Sequence, residues 1–202
     1  WYLLNDYCEG WTTNWGVHHL DIAHWGVPAL GTESFEVECS GTYYTNKGFA
    51  DNIETWKAVF IFASGLRMVF SDDRQQPRGT KFIGEKGWVH VNRDDQITAS
   101  SADLLKIRPK DGDKRLLPPD CEIDDVTTLK TKDGERVAYK RIDHWGGLLD
   151  AVRSRKETIA GIDATHVAST LGMISGIAAR LQQKLKWDWK TERFVGNDLA
   201  NA

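Results

Sequence analysis

Apolar and polar residues alternate along the chain with three different rhythms. From Trp15 to Trp25 the spacing is helical: Val17, Leu20 and His24 fall on one side, and Asn14, His18, Asp21 and Trp25 lie along another. Thr12 or Thr13 is the expected cap. The glycines and proline of "GVPALGTES" stop the helix in a loop. Between residues 34 and 100 the period changes to two, in the runs "SFEVECSGTY", "TWKAVFIFAS", "LRMVFS", "KFIGEKGWVHVNR" and "QITAS". "SG" at 64 and 65 and "EKG" at 85 to 87 separate alternating runs, which predicts two hairpins of an antiparallel meander.

Residues 102 to 134 are rich in Asp, Lys and Pro and keep no period, so they read as a long excursion. Two helices are expected after it, "IDHWGGLLDAVRSRK" and "DATHVASTLGMISGIAARLQQKL". In the second, Val167, Leu171, Ile174, Ala178, Leu181 and Leu185 recur at three or four, with Asp163 as the cap. The polar tail is expected to dock through Trp187, Trp189, Phe194 and Val195. The order of helix, strands and helices predicts an α+β fold, an open, predominantly antiparallel β-sheet with helices packed on one face. The run Val59, Ile61 and Ala63 against Phe60 and Phe62 is apolar on both sides, so the other face is expected to serve oligomerisation. Residues 1–202 read as one domain.

Charge and composition narrow the partners. A net charge of −3 and 27% charged residues leave no basic footprint for nucleic acid, and the longest apolar runs are far shorter than the roughly 20 residues of a membrane span. Cys8, Cys39 and Cys121 are scattered and odd in number, without a C-x-x-C pair, which suits neither a disulfide framework nor a zinc knuckle. The chain opens on Trp1 without a leader pattern and reads as cut from something longer.

The densest chemistry is "TNWGVHHLDIAHWG", residues 12 to 25. At roughly 100° per residue, Asn14, His18, Asp21 and Trp25 share an arc of roughly 60°. An imidazole between an amide and a carboxylate has the makings of a general base, because it titrates near neutral pH and its neighbours can set its tautomer. On spacing alone the first reading is a core histidine satisfied by Asp21 and packed on Trp25, with the catalytic base second. A metal site is the third reading, weakened because His18, His19 and His24 avoid the i, i+4 pairing of two imidazoles on one ion. His90, His144 and His166 are scattered. Trp15 and Trp25 are the tryptophans placed to line a site. No G-x-G-x-x-G occurs, "GTKFIGEK" has Glu85 where a P-loop needs lysine, and no serine stands in G-x-S-x-G.

The runs "TNWGVHHLDIAHWG", "GTKFIGEKGWVHVNR", "HWGGLLDAVRSRKET" and "LKWDWKTERFVGNDLANA", in that order, resemble the C-terminal domain of the Gfo/Idh/MocA oxidoreductases, those related to glucose-fructose oxidoreductase and inositol dehydrogenase. The closing pattern of Lys186, Trp187, Asp188, Glu192, Phe194, Asp198 and Asn201 carries much of the likeness. The resemblance implies a two-domain enzyme in which an N-terminal Rossmann domain, absent here, holds NAD or NADP, so that this chain alone binds neither and is inactive. It further implies a sugar or polyol substrate and a homodimer or homotetramer built through the open sheet. His18 then corresponds to the family's proton-relaying histidine and Asp21 to its second aspartate, while Asn14 replaces the first and removes its charge. Trp15, His19, Arg74 and Lys81 are the candidate substrate contacts. A non-catalytic carbohydrate-binding or assembly domain is the competing expectation.

Overall fold

A computed structural model describes residues 1–45, 48–93, 97–107, 126–130, 136–140, 144–158 and 160–202. Two compact units emerge, residues 1–107 with 163–202, and residues 108–162. In the first unit a 3-10 turn at Gly10–Thr12 leads into helix α1 (Trp15–Gly26), and a second 3-10 turn follows at Pro28–Gly31. Strands β1 (Phe35–Tyr43), β2 (Ile53–Phe62) and β3 (Arg67–Ser71) form an antiparallel meander. Strands β4 (Thr80–Gly84), β5 (Gly87–Val91) and β6 (Ile97–Ala99) form a second one. Both predicted hairpins form, at Ser64–Gly65 and at Glu85–Lys86, but the meander is split between two sheets.

The expected excursion holds a short helix α2 (Ala102–Lys106) and, in the second unit, strand β7 (Val126–Lys130), paired antiparallel with β8 (Arg136–Lys140). Local threonine and valine content supports β7, yet a pair this short leaves no period to read. The remainder of the excursion, with Cys121, lies outside the described residues. Helices α3 (His144–Ser154) and α4 (Ile162–Leu181) follow. Because α4 starts at Ile162, Asp163 sits in its first turn rather than capping it, where its charge still favours the helix dipole.

Leu185 is not helical, contrary to the spacing argument. It opens strand β9 (Leu185–Asp188), and the large sheet has the order β10-β9-β1-β2-β3, with β10 at Arg193–Phe194. The tail is therefore part of the sheet rather than a surface strap. Trp187 and Phe194 are buried within 5.0 Å of each other, whereas Val195 is exposed. The characteristic tail residues have structural work here. Asn201 brackets Phe194, accepting its N–H at 2.9 Å and donating to its carbonyl at 2.8 Å, which substitutes for the missing neighbour of an edge strand. Asp188 accepts from Thr191, the Lys190 N–H and Ser34, closing the β9–β10 turn.

One face of the large sheet is core. Phe35, Val37, Ala58, Phe60, Phe62, Phe70 and Leu185 join Leu20 of α1 and Leu171, Ile174 and Ala178 of α4 in one buried cluster. Each fully buried Leu or Phe contributes about 1.5–3 kcal/mol. The opposite face is mixed rather than apolar: Ile61 is 43% exposed and Val59 and Val69 are half-buried, but Glu36, Glu38, Lys57, Arg67 and Lys186 share that side. Lys184 reaches Glu38 at 3.0 Å across it. The apolar-on-both-sides pattern of β2 reaches Val69 of β3, whereas β1 and β9 place charges on that side.

Candidate functional site

Helix α1 is held to the core by its smallest residue. Gly16 is buried, and a Cβ there would lie 2.5 Å from the Phe70 ring, so only glycine lets the helix settle this close to β3. Leu20, one turn on, is buried as well. Anchoring along Gly16 and Leu20 turns the other side outward: Asn14, Trp15 and His18 are exposed, and Asp21 and Trp25 half-buried. Neither Thr12 nor Thr13 caps the helix, because Thr12 is buried and donates to the Glu9 carbonyl at 2.9 Å. Asn14 occupies the cap position, yet its side chain makes no cap hydrogen bond. The amide is thus exposed at the start of the stripe with donors and an acceptor to offer a ligand.

The stripe predicted from spacing is assembled, with a different set of internal contacts. The Trp15 and His18 rings meet edge to face at 5.9 Å. Asp21 engages the Trp25 indole, and burial raises its pKa above the ordinary carboxylate value, partly offset by the nearby charges of His24 and His18. No described hydrogen bond joins Asp21 to His18, so the aspartate acts on that imidazole through its field. The core-histidine reading does not describe His18, whose ring stands in solvent.

His19 turns toward the small sheet. Its carbonyl accepts from the Thr80 hydroxyl at 3.1 Å, and its Nδ1 is buried without a hydrogen-bond partner. Burial first, and then the charges of Arg93, His18, Arg78 and His90, hold its pKa below the usual imidazole value, so it is neutral at pH 7. Thr80 faces α1, and the Gly26 end of the helix packs on Phe82. Lys81 between them therefore projects to the opposite face of the sheet, where its ammonium sits 4.1 Å from the Trp88 ring centre. Arg74 pairs with Glu54 at 3.1 Å in the turn after β3. Strand parity thus turns Lys81 away from α1, and a local ion pair engages Arg74.

Arg93, which the sequence did not single out, comes to the stripe instead. Its guanidinium lies 4.4 Å from the Trp15 ring centre. An open groove of about 680 Å³ near the helix C-terminus, lined by Val27, Phe82, Val89 and Leu104, is separate from these polar groups. His166 pairs with Glu192 at 3.0 Å on the surface, and the His144 side chain lies outside the described residues. Among the described residues no group of three or more His, Cys, Asp or Glu could hold a metal ion. Cys8 and Cys39 are free, and burial pushes the Cys39 thiol up to about 12, which makes it inert. No described helix is long and apolar enough to cross a membrane.

Helix α1 follows a 3-10 turn rather than a strand, and the strand pairs among the described residues are antiparallel, so those residues include no parallel βαβ unit of the kind that presents backbone N–H groups to a pyrophosphate.

Several solved structures share this architecture. A Thermotoga maritima protein described as an oxidoreductase superposes with a TM-score of 0.53 at 14% identity, covering 85% of this chain and 45% of its own. The aldose-aldose oxidoreductase of Caulobacter crescentus, solved with glycerol, gives 0.50 at 13%, covering 85% and 45%. A NAD-binding protein of Listeria innocua gives 0.51 at 15%, covering 87% and 51%. The chain shares its fold with these solved structures. It spans about half the length of each of these three structures. No protein-family model and no curated protein matches the sequence.

Proposed function

We propose that this chain is the substrate-binding and oligomerisation domain of an NAD(P)-dependent sugar or polyol oxidoreductase, working with a dinucleotide-binding domain that supplies the cofactor. The observation that carries the reading is the exposed line of Asn14, Trp15 and His18 on α1, in a fold whose solved examples are about twice as long and include an enzyme of aldoses. In the reaction His18 accepts the proton of the reacting hydroxyl, or returns it in the reverse direction. Asn14 orients that hydroxyl as a neutral donor and acceptor, Trp15 gives the apolar face of a sugar ring a surface to pack on, and Asp21 holds the helix or the imidazole in place. The outward face of the large sheet, with Ile61, Val59 and Val69 at its centre, is the surface through which two copies associate.

The test is to assay the complete gene product for nicotinamide reduction over a panel of aldoses and polyols, comparing wild type with His18→Gln. Loss of a positioned acid–base group lowers kcat by about 10²- to 10⁴-fold. An unchanged kcat in the variant removes His18 from the chemistry. If polyols bind but no hydride is transferred by the wild type, the chain belongs instead to a carbohydrate-binding or assembly protein.

A further inference from the structure

Building on the reading of α1 as the substrate-facing helix, we infer that Arg93 forms an oxyanion subsite beside Trp15, so that the preferred substrate is a polyol carrying a carboxylate or a phosphate. Arg93 lies two residues beyond β5. Thr80, the pairing partner of Val91 at the end of that strand, is bonded to the His19 carbonyl, which brings the chain after β5 against the first turns of α1. The guanidinium then rests over the Trp15 ring at 4.4 Å, while the His18 ring meets the same indole edge-on at 5.9 Å.

The indole thus ties the cation to the proposed proton-transfer group. The contact with the indole engages the cation without using a carboxylate, so its N–H donors remain for a two-point bond to a carboxylate or phosphate. Because the side chain is already held against the indole, less rotamer freedom remains to be lost on binding. The other nearby guanidinium, Arg78, is neutralised by Asp73 at 2.7 Å, whereas Arg93 makes no ion pair with a carboxylate among the described residues. Asp21, the acid on the stripe, lies nearly two helical turns beyond Trp15 and is engaged by Trp25. His19, with its partnerless Nδ1, lies close enough to Arg93 to feel its charge.

The experiment measures Kd for glucose, glucuronate and glucose 6-phosphate on the 202-residue chain by calorimetry at low ionic strength. At least one anion is expected to bind about tenfold more tightly than glucose, a difference of about 1.4 kcal/mol. Glucuronate as the tighter ligand assigns a carboxylate, and glucose 6-phosphate a phosphate. Arg93→Gln should bring the ratio to about one, and Arg93→Lys should restore part of it. If Arg93→Gln fails to fold, raising salt on the wild type replaces it, since screening weakens the anions and spares glucose. Equal binding of all three ligands, or a preference that survives both Arg93→Gln and salt, overturns the subsite alone. Binding of none of them overturns both the subsite and the substrate-binding role of α1.

Discussion

Asp72 offers a measurement of what holds the platform beneath α1. The residue is 6% exposed, directly after β3. One carboxylate oxygen accepts the Trp56 N–H and the Gln75 amide at 2.9 Å each, and the other accepts the Arg74 N–H at 2.9 Å. These bonds extend the β2–β3 pairing past Ser71 and fix the strand carrying Phe70, against which Gly16 packs. In Asp72→Asn, one amide orientation keeps the two bonds to a carbonyl oxygen but turns an NH2 toward the Arg74 N–H. The variant thus loses one bond to a charged acceptor, worth about 1.5–3 kcal/mol, and weakens two others, for a total of about 2–4 kcal/mol. In a domain of this size that lowers Tm by about 5–15 °C.

The pH dependence has a definite sign. Burial alone would raise the Asp72 pKa, but the hydrogen bonds from Gln75, Trp56 and Arg74 outweigh it and hold the value below the ordinary 3.8. A depressed carboxylate contributes stability above its unfolded pKa and loses it as pH falls through the folded one. Urea unfolding at pH 7 and near pH 2 should therefore show a wild-type advantage at pH 7 that shrinks in acid. A cost under about 0.5 kcal/mol at pH 7, or an equal cost at both pH values, would refute the account, since it would place the carboxylate's contribution within the scatter of ordinary surface substitutions.

Further outcomes follow from the same geometry. Gly172→Ala places a Cβ 2.8 Å from the Thr12 carbonyl, where backbone cannot yield easily, so it should destabilise by about 1–3 kcal/mol in chemical denaturation even though alanine is the better helix former. Arg74→Ala and Lys81→Ala should leave the Kd for polyols unchanged by calorimetry, because their side chains sit with Glu54 and Trp88 and not on the α1 stripe. Breaking the exposed His166–Glu192 pair with Glu192→Gln should shift stability by less than about 1 kcal/mol, and less still in high salt.

The sequence by itself determined the elements whose signal is local. A 3.6-residue period marks α1 and the polar stripe of Asn14, His18 and Asp21, and a two-residue period with glycine turns marks both hairpins, because these patterns record which side of a single element meets the core. The likeness to an oxidoreductase domain was legible in the same way, as runs in a fixed order. Tertiary structure alone decided what depends on partners distant in the chain. Leu185 continues the helical spacing of α4 yet forms a strand, because β1 offers it an open edge some 150 residues upstream. Lys81 and Arg93 look alike in the sequence as cations near "FIGEKG", and strand parity and the docking of β4 on α1 send the first away from α1 and bring the second onto Trp15. Periodicity assigns a side to each residue, but only the packing of whole elements determines which sides meet.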